Sequence, residues 1–334
     1  MNSNTRSAII GNLACFIAYL IFGFNIIFCK NIADCGLVSP MSLYLMRAIG
    51  ALALFWLISI FTRSSRKEQS YPTSEAFHPN LSAERSDMTA TSRKIGGIEL
   101  RDMWKVAVAS LLGLFLTQLT FLKAVTLTTA LDISILSLLS PIMALLVAIA
   151  FRGEKLTAGG VTGLATSFSG VLFLVLNTVS IRSGAAHTSL GGIVLMLVNT
   201  LSFASYIVLF RRTIKKYSVV TFMKWMFLFS TLYALPFGLK GLFEVDYAAL
   251  TPGIIWQILF VVVCSTFISY FLIPVGQKRL HPVLLCMYTY VQPIVAMAIS
   301  LAAGMDTMTW GKALATFLVF AGVSIVNFVG KSRH

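Results

Sequence analysis

Runs of about 20 apolar residues follow one another along this chain with only short polar breaks between them, and each is long enough to cross a bilayer as a helix. Of the 334 residues, 57% are hydrophobic and 11% are charged, against about 25% charged in an average soluble domain. Only helices and closed barrels satisfy all backbone hydrogen bonds in lipid. Barrel strands would alternate apolar and polar residues, which these runs do not do. The sequence therefore predicts an all-α membrane protein.

The apolar runs divide into ten candidate transmembrane helices. They are predicted at residues 8–29, 41–62, 104–122, 131–151, 158–178, 190–210, 219–240, 254–275, 282–302 and 308–329. Between the second and third runs, the segment 63–103 is rich in Ser, Thr, Arg and Glu, a composition typical of a flexible loop. The predicted division of the chain is 1–62 for the first two helices, 63–103 for the loop, 104–180 for helices three to five, and 188–330 for helices six to ten.

The chain also repeats itself. A shift of 152 positions lays helices three to five on helices eight to ten, and it pairs Pro141 with Pro293. A shift of 181 positions lays helix one on helix six, and it pairs Gly11 with Gly192. Two copies of a five-helix unit must enter the membrane in opposite orientations, because five is odd. The prediction is a 5+5 inverted-topology repeat, an architecture common among secondary transporters.

The basic residues predict the orientation of this repeat. With the N-terminus in the cytoplasm, most Lys and Arg residues fall in cytoplasmic segments, as the positive-inside rule requires. The outer segments then hold one basic residue each: Lys30, Lys123, Arg182, Lys240 and Lys312. We expect a multi-pass protein of the cell (inner or plasma) membrane with both termini in the cytoplasm.

Several motifs resemble the EamA type of the drug/metabolite transporter superfamily. They are the stretch FIAYLIFGFNIIFCK in helix one, Arg47 following Pro40 in helix two, and Pro141 followed by Gly153-Glu154. The chain departs from the family pattern at Phe22, where the family usually has Trp, and at Met305-Asp306, where Gly-Glu is expected. The resemblance implies export or exchange of small metabolites, often amino acids, through a central cavity between the two halves.

Matching helix faces in the two halves indicate which side chains would line such a cavity. These faces carry polar, small or aromatic residues, whereas the other faces are Leu, Ile and Val, and polar groups that face lipid are costly. The alternative is that the same groups hydrogen-bond between helices as packing contacts. The candidates are Phe22, Asn25, Gln118, Ser137, Asn199, Phe203, Tyr206, Tyr270, Tyr288, Thr289 and Gln292.

Proline and charge mark four further positions. Pro141 and Pro293 each remove a backbone hydrogen bond, so they predict either a hinge or a static kink in helices four and nine. Arg47 lies on the order of 10 Å inside helix two. It either attracts a substrate carboxylate or gates the outer mouth, or it pairs with helix-end carbonyls or Asp34. Asp132 either complements the dipole of helix four or serves as a proton-coupling group.

Other function classes lack their sequence signals. The net charge of +14 sits in the loops, so it does not indicate nucleic-acid binding. The five cysteines form no CxxC or Cys/His cluster, so we expect no metal site. No P-loop occurs, and the spans hold no constellation of catalytic side chains. We therefore expect no cofactor and no enzymatic activity.

The sequence thus favours a secondary transporter that exports amino acids or similar amphipathic solutes by alternating access. The partners are then a small-molecule substrate and the lipid bilayer, with a coupling proton or ion and the oligomeric state left open. An alternative is exchange of nucleotide sugars or sugar phosphates. It is disfavoured because the sugar-phosphate relatives carry a Lys-Arg pair where this chain reads Gln292-Pro293. A membrane-embedded enzyme is a weaker alternative.

Overall fold

A computed structural model describes residues 3–68, 94–153, 158–180, 188–280 and 288–331 of the chain. Within these ranges the regular structure is helical, apart from a hairpin of the strands β1 (Lys94–Ile95) and β2 (Ile98–Glu99). The principal helices are α1 (Ser3–Asp34), α2 (Pro40–Glu68), α3 (Leu100–Leu127), α4 (Ala130–Arg152), α5 (Ala158–Ser180), α6 (Leu190–Leu209), α7 (Val219–Glu244), α8 (Pro252–Arg279), α9 (Val291–Ala302) and α10 (Trp310–Lys331). A short helix, Arg211–Lys216, joins α6 to α7.

Seven of these helices, α1 to α4 and α6 to α8, are long and apolar enough to cross a membrane. Three shorter apolar helices lie within α5, α9 and α10, at Gly159–Leu174, Val291–Ala302 and Trp310–Gly322. Four helices begin at a Ser or Thr whose hydroxyl accepts a backbone N–H three residues later: Thr129, Ser189, Ser218 and Thr251. Such caps satisfy one of the amide groups that a helix start leaves unpaired. The observed fold is an all-α membrane fold, as the sequence predicts.

The predicted loop 63–103 is shorter in the structure at both ends. Helix α2 continues to Glu68, and the hairpin and the first residues of α3 precede residue 104. The hairpin turns at Gly96 and Gly97, whose φ angles of 55° and 95° suit glycine. Residues 69–93 of the predicted loop lie outside the described residues. Ordered structure extends further because the segment next to α3 packs on α7, where Trp225 Nε1 donates to the Gly96 carbonyl over 3.4 Å.

Helices α3 and α8 each contain a π-helical segment, at Leu111–Leu116 and Val261–Ile268. The shift of 152 positions carries the first segment into the second. In α3, Thr117 Oγ1 donates to the Leu112 carbonyl over 2.6 Å, and in α8 the equivalent Ser269 Oγ donates to the Cys264 carbonyl over 3.2 Å. A π segment misaligns the carbonyls of one turn, and a hydroxyl that accompanies it satisfies the displaced group. Such segments occur frequently at functional sites.

Helix α4 is interrupted by two turn residues, Leu138 and Leu139, and the turn at Thr289 and Tyr290 precedes α9. Under the same shift the two interruptions overlap at one residue. The sequence predicted a bend in a continuous helix at Pro141 and Pro293, and this is corrected by the structure. Each proline lies in the first turn of the segment that follows the interruption, where its missing N–H costs no helical hydrogen bond. Motion about these points stays a prediction.

Helices of the first half pack against helices of the second half in matching pairs. Helix α5 packs on α10, and α2 packs on α7. Helix α1 packs on α8 and α9, and α6 packs on the equivalent α3 and α4. The close approach of α5 and α10 depends on Gly170 and Gly322, because a Cβ at Gly322 would lie 2.5 Å from the carbonyl oxygen of Gly163. This pairing leaves the centre of the bundle lined by both halves.

The two ends of the bundle differ in the elements and charges that they carry. The hairpin end carries β1, β2 and the connection from α6 to α7, where Lys216 Nζ contacts Glu99 Oε2 at 2.8 Å. The opposite end carries the start of α4 and the start of α10, where Lys312 Nζ lies 3.4 Å from Asp132 Oδ1. Buried apolar clusters fill the bundle toward each end, and residues of both clusters reach the central space between the halves.

Candidate functional site

A cavity lies between the two halves at the middle of the bundle. The empty space in this cavity and at its opening to solvent is about 660 Å³. Its wall combines aromatic rings with hydroxyl and amide groups from α1, α3, α4, α6, α8 and α9 and from the turn before α9. The lining residues are Tyr19, Phe22, Asn25, Thr117, Gln118, Phe121, Ser137, Ser140, Asn199, Thr200, Phe203, Tyr270, Thr289 and Gln292.

Most of the side chains that the sequence proposed for a cavity are therefore neighbours in space. Two of them are not part of the lining, and the structure corrects their placement. Tyr206 is 2% exposed, and its ring covers Gly113 in the π segment of α3, where a Cβ would come within 2.5 Å of it. Tyr288 packs against the buried pair Cys15 and Leu280. Sharing a helix face with cavity residues did not bring these two rings into the cavity lining.

The equivalent residues Gln118 and Tyr270 meet across the cavity. Gln118 Nε2 donates to the Tyr270 hydroxyl oxygen over 2.5 Å, and both side chains are buried. A direct contact between two positions related by the repeat places both close to the axis that relates the halves. Gln118 Oε1 is buried and has no hydrogen-bond partner among the described residues. An unpaired buried acceptor is costly, so it is a ready partner for a donor on a bound solute.

Aromatic rings surround this polar pair. Phe22 lies edge-on to Tyr270 with ring centroids 5.6 Å apart, and Tyr19 lies edge-on to Phe22 at 6.1 Å. Asn199 Nδ2 donates to the Thr117 carbonyl over 2.6 Å, which turns its amide oxygen to other partners. A wall of rings with a few convergent polar groups is the usual composition of a small-molecule site. The described lining contains no Lys, Arg, Asp or Glu.

The sequence-based selection missed several lining residues, including Tyr19, Thr117, Phe121, Ser140 and Thr200. Tyr19 and Phe22 are three residues apart on α1, so helical spacing alone could have added Tyr19. Thr117 follows the π segment, and Ser140 follows the interruption of α4. A regular helical wheel assigns these two to wrong faces, because a π turn or a break rotates everything after it.

Arg47 is buried in α2, with 1% of its surface exposed. Its Nε donates to Thr266 Oγ1 over 2.8 Å, and its Nη1 lies 3.9 Å from Cys29 Sγ. Its Nη2 has no partner among the residues that the structure describes. The predicted pairing with Asp34 does not form, because Asp34 pairs with Lys30 over 3.0 Å. Arg47 therefore carries a buried charge without a carboxylate partner in the described parts of the chain.

Asp132 lies in the first turn of α4 and is 1% exposed. Its Oδ2 accepts from the Thr188 hydroxyl, and its Oδ1 lies 3.4 Å from Lys312 Nζ, within ion-pair range but without hydrogen-bond geometry. Asp306 Oδ1 lies 2.9 Å from the same ammonium. These contacts explain the burial of the carboxylate by structure alone. A role of Asp132 in proton coupling stays a prediction.

A second charged cluster lies at the hairpin end, and the sequence did not predict it. Asp102 in α3 accepts from Lys105 over 2.8 Å, from Lys216 over 2.6 Å and from the Tyr217 hydroxyl over 2.6 Å. The hydrogen bonds that Lys216 donates to Asp102 and Glu99 raise the pKa of Lys216 above its ordinary value. Burial, and then the bond to Asp102, raise the pKa of Tyr217. Residues more than 110 positions apart form this cluster, and no local pattern in the sequence signals it.

The model of the EamA-like transporter family matches this chain twice, at residues 9–176 and at residues 190–328. The chain belongs to the EamA-like transporter family. The first match covers α1 to α5 and the second covers α6 to α10, so the resemblance seen in the sequence is confirmed. Members of this family are membrane transporters of the drug/metabolite type. The chain is therefore a multi-pass transporter that handles a small molecule within a lipid bilayer.

Solved structures share this fold. One of them, described only as "Crystal structure of protein", has a TM-score of 0.59 at 16% sequence identity, over 96% of this chain and 98% of its own. At that identity the likeness shows the fold alone. No curated protein matches the chain. Among the described residues, no group of three or more His, Cys, Asp or Glu side chains lies close enough together to hold a metal ion.

Proposed function

We propose that this EamA-like transporter moves small amphipathic metabolites, such as amino acids, by alternating access of the central cavity to the two sides of the membrane. The observation that carries the proposal is the contact between Gln118 and Tyr270, two equivalent residues that meet in a cavity lined by both halves. A solute bound on the axis between two near-equivalent halves contacts the same kind of wall whichever side of the membrane the cavity opens to. Such a site suits a carrier that opens alternately to each side.

The proposed topology has ten membrane-spanning helices in two inverted sets of five. The matching helix pairs, the two π segments and the two interruptions at overlapping positions support it. Helices α5, α9 and α10 complete the ten spans in this proposal, although their apolar stretches are the shortest. We assign the hairpin end to the cytoplasm of the cell membrane, with both termini there, because most of the basic loop residues lie at that end.

The composition of the wall supports the solute class. Rings of Phe22, Phe203 and Tyr270 offer apolar surface, and the amides of Asn25 and Gln118 offer hydrogen bonds to neutral or zwitterionic groups. A nucleotide sugar or sugar phosphate carries charged phosphate oxygens, which proteins usually bind with Arg or Lys. The described lining supplies neither residue type. The direction we propose is export, which rests on the family resemblance.

The test is counterflow in proteoliposomes that are loaded with unlabelled amino acids and supplied with labelled ones. Ser137 and Ser169 make a matched pair of variants. Each hydroxyl bonds to its own helix, at 2.7 Å to the Ile133 carbonyl and at 2.8 Å to the Ala165 carbonyl, but Ser137 lines the cavity and Ser169 is exposed on α5. We expect Ser137→Leu to abolish counterflow and Ser169→Leu to leave it unchanged.

Two results would speak against the proposal. Equal counterflow by both leucine variants would move the transport path away from this cavity. Absence of counterflow for every amino acid in protein that elutes as a single folded species would remove amino acids as the solute class. In that case the same assay, repeated with nucleotide sugars, tests the alternative.

A further inference from the structure

Arg47 has more hydrogen-bonding capacity than its surroundings use. A guanidinium carries five N–H donors, and here Nε has a close acceptor, Nη1 has a distant sulfur, and Nη2 has no partner in the described structure. The side chain is 1% exposed, so bulk water does not satisfy the remainder. Burying a charge without a partner is among the most costly arrangements in a protein. Packing alone does not account for it.

The neighbours of Arg47 do not depend on it. Thr266 Oγ1, which accepts from Arg47, donates its own proton to the Val261 carbonyl over 2.7 Å. Cys29 Sγ donates to Asn25 Oδ1 over 3.5 Å. The equivalent position in the second half is Leu228, so the repeated packing is built without a cation. A purely structural role would be expected to leave at least one neighbour unsatisfied when Arg47 is removed, and none is.

Arg47 lies directly behind the wall of the central cavity. Cys29 is in contact with the guanidinium and also with Asn25, which lines the cavity. Thr266, the closest partner, belongs to the π segment of α8, about one helical turn before the cavity residue Tyr270. Arg47 approaches the cavity from the opposite end, since it lies seven residues into α2 from Pro40.

We infer that Arg47 binds the carboxylate of the transported solute, so that the carrier selects monocarboxylates with an apolar body over their neutral counterparts. Arg pairs with a carboxylate through two parallel hydrogen bonds, and the free Nη2 with its neighbouring donors provides such a fork. The class is a carboxylate rather than a phosphate because Arg47 lies behind the wall and the described lining adds no cation that could share a dianion with it. The inference rests on the proposed transport function for its biological meaning, while binding can be measured without it.

The experiment uses matched probes that share an apolar body and differ in the polar groups attached to it, with or without a carboxylate. Leucine, leucinamide and 4-methylpentanoate share one apolar body, as do phenylalanine and phenylalaninamide. Their binding to the purified full-length protein is measured by thermal shift, and their counterflow is measured in proteoliposomes. The variants are Arg47→Met, which removes the charge, and Arg47→Lys, which keeps the charge without the fork. Arg152→Met is the control, because Arg152 is exposed at the hairpin end.

We expect the acids to bind at least tenfold more tightly than their amides to the wild type and to Arg152→Met. Arg47→Met should remove that preference, and Arg47→Lys should restore part of it.

Equal affinity of acids and amides for the wild type overturns the inference, as does an Arg47→Met protein with unchanged acid preference. In both cases counterflow can persist, and the proposed transport function then stands alone. Binding that depends on Arg47 without any counterflow keeps the carboxylate site and removes the transport function. If none of the probes binds, the inference is overturned.

Discussion

In the first half of the molecule, α3 carries a π segment at Leu111–Leu116, and α4 breaks after Ser137. In the second half, α8 carries a π segment at Val261–Ile268, and a turn at Thr289 precedes α9. These irregularities overlap under one shift of the sequence. The buried charges do not coincide. The position equivalent to Arg47 in the second half is Leu228, and the position equivalent to Asp102 is Ile254.

This difference separates two kinds of information in the chain. The backbone irregularities and the packing glycines occur in both halves, and they bring the helices to a shared axis. The charges occur once, so the pairing of the halves does not require them. Where a buried charge has partners, as at Asp102, it joins one half to the other. Where it lacks them, as at Arg47, we propose that the charge binds the solute.

The largest effect should come from exchanging the charge between equivalent positions. Arg47→Leu should stabilise the solute-free protein by about 1–4 kcal/mol, because replacing an uncompensated buried charge with an apolar side chain removes its desolvation cost. Leu228→Arg should destabilise it by about 2.5–3.5 kcal/mol, the cost of a cation at the centre of a membrane helix. Denaturant unfolding in mixed micelles measures both. A marked loss of stability in Arg47→Leu would mean that the arginine holds the structure together.

The next effect concerns the helix pair that both halves build with glycine. Gly322→Ala should destabilise the protein by about 1–3 kcal/mol, because the new Cβ meets backbone of α5 at 2.5 Å. Gly170→Ala should cost less, since its nearest atoms lie at 2.9 Å. Gly253→Ala is the control, because nothing lies within 4 Å of its Cβ position. The order of the three unfolding midpoints is the test, and a reversed order of Gly322→Ala and Gly170→Ala would contradict the α5–α10 packing.

A smaller effect is expected at the charged cluster that joins the halves at the hairpin end. Asp102→Asn should cost about 1–2 kcal/mol, since it weakens charge-assisted hydrogen bonds to the partly exposed Lys216. Glu244→Gln, in the exposed pair with Lys240, should change stability by less than about 0.5 kcal/mol. Unfolding of both variants beside the wild type provides the measurement. Equal effects would show that the hairpin-end cluster is no stronger than a surface ion pair.

The same cluster predicts a pH dependence. Because its hydrogen bonds raise the pKa of Lys216, the stability it contributes is present below the ordinary lysine pKa of about 10.4 and is lost only as the pH rises through the higher folded value. The stability difference between the wild type and Lys216→Gln should therefore stay constant from pH 7 to pH 10. Unfolding series at several pH values check this. A difference that shrinks within that window would contradict the assigned bonds.

The smallest effect should appear at the two equivalent residues that meet in the cavity. Tyr270→Phe removes the hydroxyl that accepts from Gln118 and should cost about 1 kcal/mol, because the amide loses its partner. Tyr270→Phe combined with Gln118→Leu should recover part of that loss, since neither polar group is then left unpaired. A double-mutant cycle from unfolding data gives the coupling energy. Zero coupling would mean that the two side chains do not bond.

The sequence by itself determined the fold class, the family, the positions of most helices and the equivalence of the halves. Apolar length and repeat spacing are local properties that read directly along the chain, and lipid admits few structures that satisfy them. Nine of the fourteen residues that line the cavity are among the candidates chosen from polar helix faces, and their role in binding stays a prediction. Only the tertiary structure decided that Tyr206 covers Gly113, that Asp102 meets Lys216, and that Arg47 has no acid beside it. Such contacts depend on how π segments and interruptions rotate each helix and on which distant side chains pack together. Hydrophobic periodicity gives neither the rotation of a helix nor the identity of its distant neighbours.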